Sequence, residues 1–231
     1  MRTDALKEPE REARVEAAPF AILVAVALVG LAVVSLTAGW QLFDGVGWWL
    51  WLIAAAPYVI LSLMLVTGLD RVRDHERRRA IVQVLLVLVV VFSLVELSLL
   101  VASLVSSSAP DISGPQLLLS GFILWFANVV AFGLAFWELD LGGPVRRALA
   151  RQRIAPDFQF PQDDNPGLAR PRWAPHLVDY LYLSMTNSIA FSPTDVMPLT
   201  RPAKGLMAVE SAVSVVAVLL IAARAVNILQ A

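Results

Sequence analysis

The sequence predicts an all-α integral membrane protein with five transmembrane helices, plus one re-entrant half-helix and loop before the last span. Three observations predict it. Hydrophobic residues fill 58% of 231 positions against 16% charged, and the mean hydropathy is +0.70, values outside the range of soluble domains. Five apolar runs reach the roughly 20 residues that cross a hydrocarbon core. The basic residues, finally, are confined to alternate connecting segments.

In chain order, residues 1–18 form a charged N-terminal segment whose mixture of acids and bases predicts a solvated, frayed helix. A four-helix transmembrane region follows over 19–139, with runs at Pro19 to Ala38, Trp48 to Leu69, Ala80 to Val105 and Gln116 to Trp137. The first run is too long for the apolar part of a typical signal peptide, and no convincing cleavage site follows it, so it reads as an uncleaved anchor. Residues 140–175 are a connector rich in Gly, Pro, Asp and Arg, with turn signals at Gly142-Gly143-Pro144 and Asn165-Pro166-Gly167. One short helix is predicted there, around Val145 to Gln152, with an Arg cluster suited to anionic headgroups. Residues 176–231 hold a short polar apolar segment, a Ser-Pro-Thr-Asp turn and a final apolar run, Leu206 to Leu229.

Arginine and lysine set the orientation. Arg2, Lys7, Arg11 and Arg14 precede the first run; Arg71, Arg73, Arg77, Arg78 and Arg79 follow the second; Arg146, Arg147, Arg151, Arg153, Arg170 and Arg172 follow the fourth. The loops Gly39 to Gly47 and Ser106 to Pro115 hold none. The positive-inside rule then predicts a cytoplasmic N-terminus. If the segment from His176 to Pro198 dips into the bilayer and returns, Arg201 and Lys204 join the same side, only Arg224 of the 18 basic residues is left out, and the C-terminus is external. The alternative is a segment lying flat at the interface, with Trp173, Tyr180 and Tyr182 at headgroup level.

Composition also excludes chemistries. The chain has no Cys, and its two histidines, His75 and His176, stand in different polar segments, so neither a thiolate site nor a His-pair metal site is predicted. No phosphate-binding Gly-rich loop, nucleophile elbow or basic-aromatic surface for nucleic acid is present. Asp195 and Glu210 are two carboxylates, yet no nucleophile with its base accompanies them. The sequence therefore predicts neither an enzyme nor a cofactor.

Polar groups inside apolar runs mark where helices meet protein or water. On the third run Gln83, Ser93, Glu96, Ser103 and Ser107 share a stripe; on the last, Glu210, Ser214, Ala217, Ile221, Arg224 and Asn227 do. At 1.5 Å per residue, Glu96 lies about 24 Å and Arg224 about 27 Å from the cytoplasmic starts of their helices. Matching depth makes an ion pair one expectation. The other is a neutral Glu96 bonded to a backbone carbonyl, with Arg224 snorkelling outward. Glu210 sits near the inner mouth, where it could line a cation route with Asp195 or, the reading favoured by its irregular-backbone neighbours, brace the loop. On the fourth run Ala127, Ala131 and Ala135, with Asn128 alongside, predict a close helix contact with an amide bonded across it.

The run from Tyr182 through Ser192-Pro193-Thr194-Asp195 to Pro198, followed by Ala208-Val209-Glu210 and Ile221 to Arg224, resembles the pore loop and inner helix of bacterial potassium-channel-like proteins over about fifty residues. The resemblance implies Thr186, Asn187, Ser192, Thr194 and Asp195 as pore-loop residues, a monovalent cation as partner and a homo-tetramer. Where that family has filter glycines, Ser192 and Thr194 stand here, with Pro193 in place of the aromatic. Proline restricts both itself and Ser192, so a four-carbonyl ladder does not form in the usual way. The loop orientation is inverted as well. The whole chain also looks like actinobacterial integral-membrane proteins that carry four helices ahead of an Ala-Phe-Ser-Pro-Thr-Asp segment. Two functional expectations result: a channel-like protein with a degenerate, non-selective pore loop, or a non-conducting scaffold or sensor that keeps the fold, with the lipid bilayer as partner in either case.

Overall fold

A computed structural model gives the architecture. It describes residues 4–40, 47–67, 80–81, 83–92, 94–95, 98, 114–149, 155–165, 167, 169–171, 173–192 and 195–229, the side chains of 4–7, 114, 115, 117, 216, 217, 220, 221 and 223–229 excepted. The described residues are nearly all helical. Its elements are α1 (Asp4–Ala38), α2 (Trp49–Thr67), α3 (Gln83–Phe92), α4 (Gly114–Leu139), α5 (Pro144–Leu149), β1 (Phe158–Gln159), α6 (Pro161–Asp164), α7 (Leu177–Ala190), β2 (Met197–Pro198) and α8 (Arg201–Leu229).

Three stretches among the described residues are long and apolar enough to cross a membrane: Glu8–Ala38, Trp49–Thr67 and Leu118–Leu149. Side-chain placement agrees with that setting. Large apolar residues point outward along α1 (Ile22, Val26, Val29, Val33), α2 (Leu52, Ile53, Ile60, Leu63) and α3 (Val84, Val87, Leu88). Ser62, Ser120, Asn128, Ser184, Asn187, Ser188, Glu210 and Ser214 are buried. Water would favour the opposite arrangement; lipid favours this one, because it solvates apolar side chains and cannot solvate amides or carboxyls. The architecture is compatible with a multi-pass membrane protein.

Helix ends follow local chemistry. α1 closes on Gly39 at φ 66°, with Trp40 N–H donating to Ser35 O at 2.9 Å, the six-to-one bond of a glycine-terminated helix. α4 stops where Leu141, Gly142 and Gly143 all take positive φ, and Pro144 then opens α5, where its missing N–H costs nothing. Thr200 caps α8: its Oγ1 accepts from Ala203 N–H at 3.4 Å and Pro202 sits in the first turn.

Two expectations are corrected here. Residues 4–18 continue into the first span, since α1 is one helix from Asp4 and its Glu16 carboxylate reaches α7, accepting from Leu177 N–H at 3.0 Å and meeting His176 Nδ1 at 2.6 Å. A carboxylate at a helix N-terminus satisfies an orphan amide and opposes the helix dipole. Gln83, placed at the start of a polar inward stripe, is exposed; the face of α3 that packs inward is Leu85, Leu86 and Val89. Ser93, Glu96, Ser103 and Ser107 lie outside the described residues.

The α4, α7 and α8 arrangement positions the site. Contacts run Asp140 with Tyr180, Gly133 with Leu181, Val129 with Ser184 and Trp125 with Ser188, so α7 is antiparallel to α4. α8 starts beside the same end of α7, where Thr200 donates to Asp157 at 2.6 Å; further along, Glu210 meets Ser184 and Asn187. α7 and α8 are therefore parallel to each other. Two parallel neighbours need a return, and the chain between them brings Met197–Pro198 antiparallel beside Phe158–Gln159. α7 ends with Phe191 at φ 56°, a left-handed stop before the Ser-Pro step that bars further helix.

Gly133 is the tightest point between α4 and α7. A Cβ there would lie 2.6 Å from Leu181 Cδ2 and 3.1 Å from Leu181 Cα, so the side chain must swing away and the backbone must yield. Gly133→Ala is expected to lower stability by about 1–3 kcal/mol, the usual cost of overpacking, read as a fall in Tm of the detergent-solubilised protein.

Candidate functional site

A buried polar seam runs along α4, α7 and α8 in two clusters. The residues of α7 that face it, Leu177, Tyr180, Ser184, Asn187 and Ser188, recur at three- and four-residue steps, so one helix face carries them all.

The outer cluster ties the connector to the bundle. Asp140, 1% exposed, stands at the C-terminal end of α4, where an acid is unfavourable against the helix dipole. Four donors compensate it: Asp157 N–H at 2.8 Å and Phe158 N–H at 3.2 Å on Oδ1, Tyr180 OH at 2.5 Å and Arg147 Nη1 at 3.3 Å on Oδ2. Arg147 also donates to Tyr180 Oη at 2.5 Å, and its guanidinium lies 5.3 Å from the centre of that ring. Around the cluster Phe136, Phe158, Tyr180, Phe160 and Trp173 form successive edge-on aromatic contacts, the geometry the ring quadrupoles prefer. Arg147, expected at lipid headgroups, is instead spent inside the protein, while Arg146 is exposed. Tyr180 is fully buried, which corrects the placement of that residue at headgroup level in the interfacial alternative.

The inner cluster centres on Glu210, fully buried on α8. Ser184 Oγ lies within hydrogen-bond distance of Oε1, and Asn187 Nδ2 donates to Oε2 at 2.7 Å. Asn187 Nδ2 also donates to Met207 O at 3.1 Å, and Asn187 Oδ1 accepts from Ser211 at 3.0 Å. Ser184 Oγ is 2.9 Å from Val129 O, so the group joins all three helices. One turn deeper, Asn128 Nδ2 faces Ser214 Oγ at 3.5 Å across the α4–α8 contact, beside Ala127 and Ala131, both fully packed. Trp125 Nε1 donates to Ser188 Oγ at 3.1 Å.

A cleft of about 240 Å³ opens beside this cluster, between Phe191, Ser192 and Pro198 on one side and Lys204, Met207 and Ala208 on the other; Asn187 and Ser211 also line it.

Among the described residues singled out from sequence, the fold unites Asn187 with Glu210 and Asn128 with Ser214. Thr186 Oγ1 bonds back to its own helix, at Tyr182 O and Leu183 O. Ser192 is exposed and bonds Ala190 O at 3.3 Å. Asp195 is exposed on the return segment. Thr194, Glu96 and the side chain of Arg224 lie outside the described residues, and with them the Glu96–Arg224 pair. Sequence reading missed Ser184, Ser211, Tyr180, Asp140, Arg147 and Glu16. The three-to-four-residue spacing of Tyr180, Ser184 and Asn187 carried a signal for the first of these; of the Asp140 partners, Arg147 stands seven residues on while Asp157, Phe158 and Tyr180 come from later segments, and no spacing links them.

Among the described residues no group of three or more His, Cys, Asp or Glu side chains is arranged to hold a metal. Comparison with family models, with curated proteins and with solved structures finds no match to this chain.

Proposed function

We propose that the chain is a five-span membrane protein in which α7 enters the bilayer and returns on the same side, and that it serves as a non-conducting scaffold or sensor. The observation that carries this reading is where α7 turns its polar groups. Ser184, Asn187 and Ser188 are spent on α4 and α8, while the opposite face, Val178, Tyr182, Met185 and Ile189, is exposed and mostly apolar. A pore axis running along α7 would need hydroxyls or carbonyls on that outer face to replace ion hydration; lipid would not. Re-entry is supported by length and by direction. Fourteen residues span about 21 Å, short of the roughly 30 Å core, and the β1–β2 pairing returns the chain to the end from which α7 starts. With this topology the N-terminus is cytoplasmic and the C-terminus external.

Reconstitution tests both parts. In liposomes the protein should pass no more monovalent cation than protein-free vesicles under any gradient or voltage, and flux abolished by Asp195→Asn would restore the channel reading. Because the chain has no Cys, single cysteines placed at Arg170 and Arg201 should be labelled from the same side of the vesicle; labelling from opposite sides would mean that α7 crosses.

A further inference from the structure

We propose that Glu210 is a proton-binding site, its carboxyl held as a neutral acid at neutral pH and donating its own hydrogen to Ser184. The number of hydrogens in the cluster decides it. Asn187 Nδ2 has two, one for Met207 O and one for Glu210 Oε2. Ser211 has one, given to Asn187 Oδ1. Ser184 also has one, but its Oγ lies against two acceptors, Val129 O and Glu210 Oε1. With an ionised carboxylate, one of those two contacts is oxygen against oxygen with no hydrogen between them. A hydrogen on Oε1 removes the conflict: Glu210 donates to Ser184, Ser184 donates to Val129 O, and every contact in the cluster holds one hydrogen.

The surroundings agree with the count. On α4 the acids are Glu138 and Asp140, at the far end of the helix, and Asp140 is already engaged with Arg147 and Tyr180. On α7 the titratable groups are Asp179 and Tyr180 in the first turn, with His176 before it and Tyr182 on the outer face. On α8 the nearest cations are Arg201 and Lys204, the latter about 9 Å away along the axis. Among the described residues no basic side chain bonds Glu210, and a buried carboxylate without a counter-charge gives up its charge rather than its burial. The cleft beside Asn187 and Ser211 gives a proton a short route, since both residues belong to the cluster and both line the cleft.

This deepens the brace assigned to Glu210 above by giving it a proton, and its test is blind to ion flux and to topology, so either reading can fail alone. Infrared difference spectra at pH 7 between the wild-type protein and Glu210→Gln should contain a carboxylic-acid C=O band, shifted in D2O, that the variant lacks. Carboxylate bands in its place overturn the proposal. Ser184→Ala provides a second measurement that holds even if the Gln variant does not fold: loss of the acceptor should move the acid band, and a change confined to carboxylate bands, or no change at all, overturns the donation to Ser184.

Discussion

Replacing Asp140 with Ala should release the connector from the bundle and cost about 3–5 kcal/mol, the penalty for breaking one side of a buried ion pair. Two terms add. Arg147, whose side chain is 11% exposed, would be left as a nearly buried cation with, among the described residues, only Tyr180 as side-chain partner, and the amides of Asp157 and Phe158 would lose their acceptor. Asp140→Asn should cost less, because an amide oxygen can still accept from both backbone groups. Limited proteolysis is the sensitive readout. Cleavage within 155–165 should rise sharply for Asp140→Ala, and a connector as resistant as wild type would show that the aromatic contacts of Phe158 and Phe160 alone hold it.

The second large effect is expected at Glu210. Ala there removes both carboxyl oxygens at once, leaving Ser184 and one hydrogen of Asn187 facing a void at the junction of three helices. An unsatisfied buried donor costs about 1–3 kcal/mol, and the lost volume adds a cavity penalty, so a loss of about 2–5 kcal/mol is expected, seen as a lower Tm and a broadened size-exclusion profile in detergent. Glu210→Gln keeps the shape and, as a neutral isostere, can donate to Ser184 and accept from Asn187; its Tm should stay near that of wild type. Equal Tm values for Ala and Gln would show that the cluster does not brace α7.

Much of the fold was legible because the bilayer imposes a long-wavelength pattern on sequence. Apolar runs of spanning length stand out in any window, and the glycine-rich turn after Leu139 announces its own break. Glu210 was legible too, since a polar side chain within an apolar run must have a reason to be there; Asn187 had been singled out only through the pore-loop resemblance. What could not be read was partnership. Nothing in the order of residues says that Glu16 on α1 caps a helix beginning at Leu177, or that Arg147 turns inward to Tyr180 while Arg146 faces out.

By itself the sequence determined that this chain is built of apolar helices and which polar residues within them must find partners, because an apolar setting cannot solvate a polar group. Only the tertiary structure decided what those partners are. It sets α7 and α8 parallel, folds the return strand against β1, and joins Ser184, Asn187 and Glu210 into one cluster. Hydrogen bonds have a range of about 3 Å and need a direction, and groups far apart in the chain acquire both only when the helices pack.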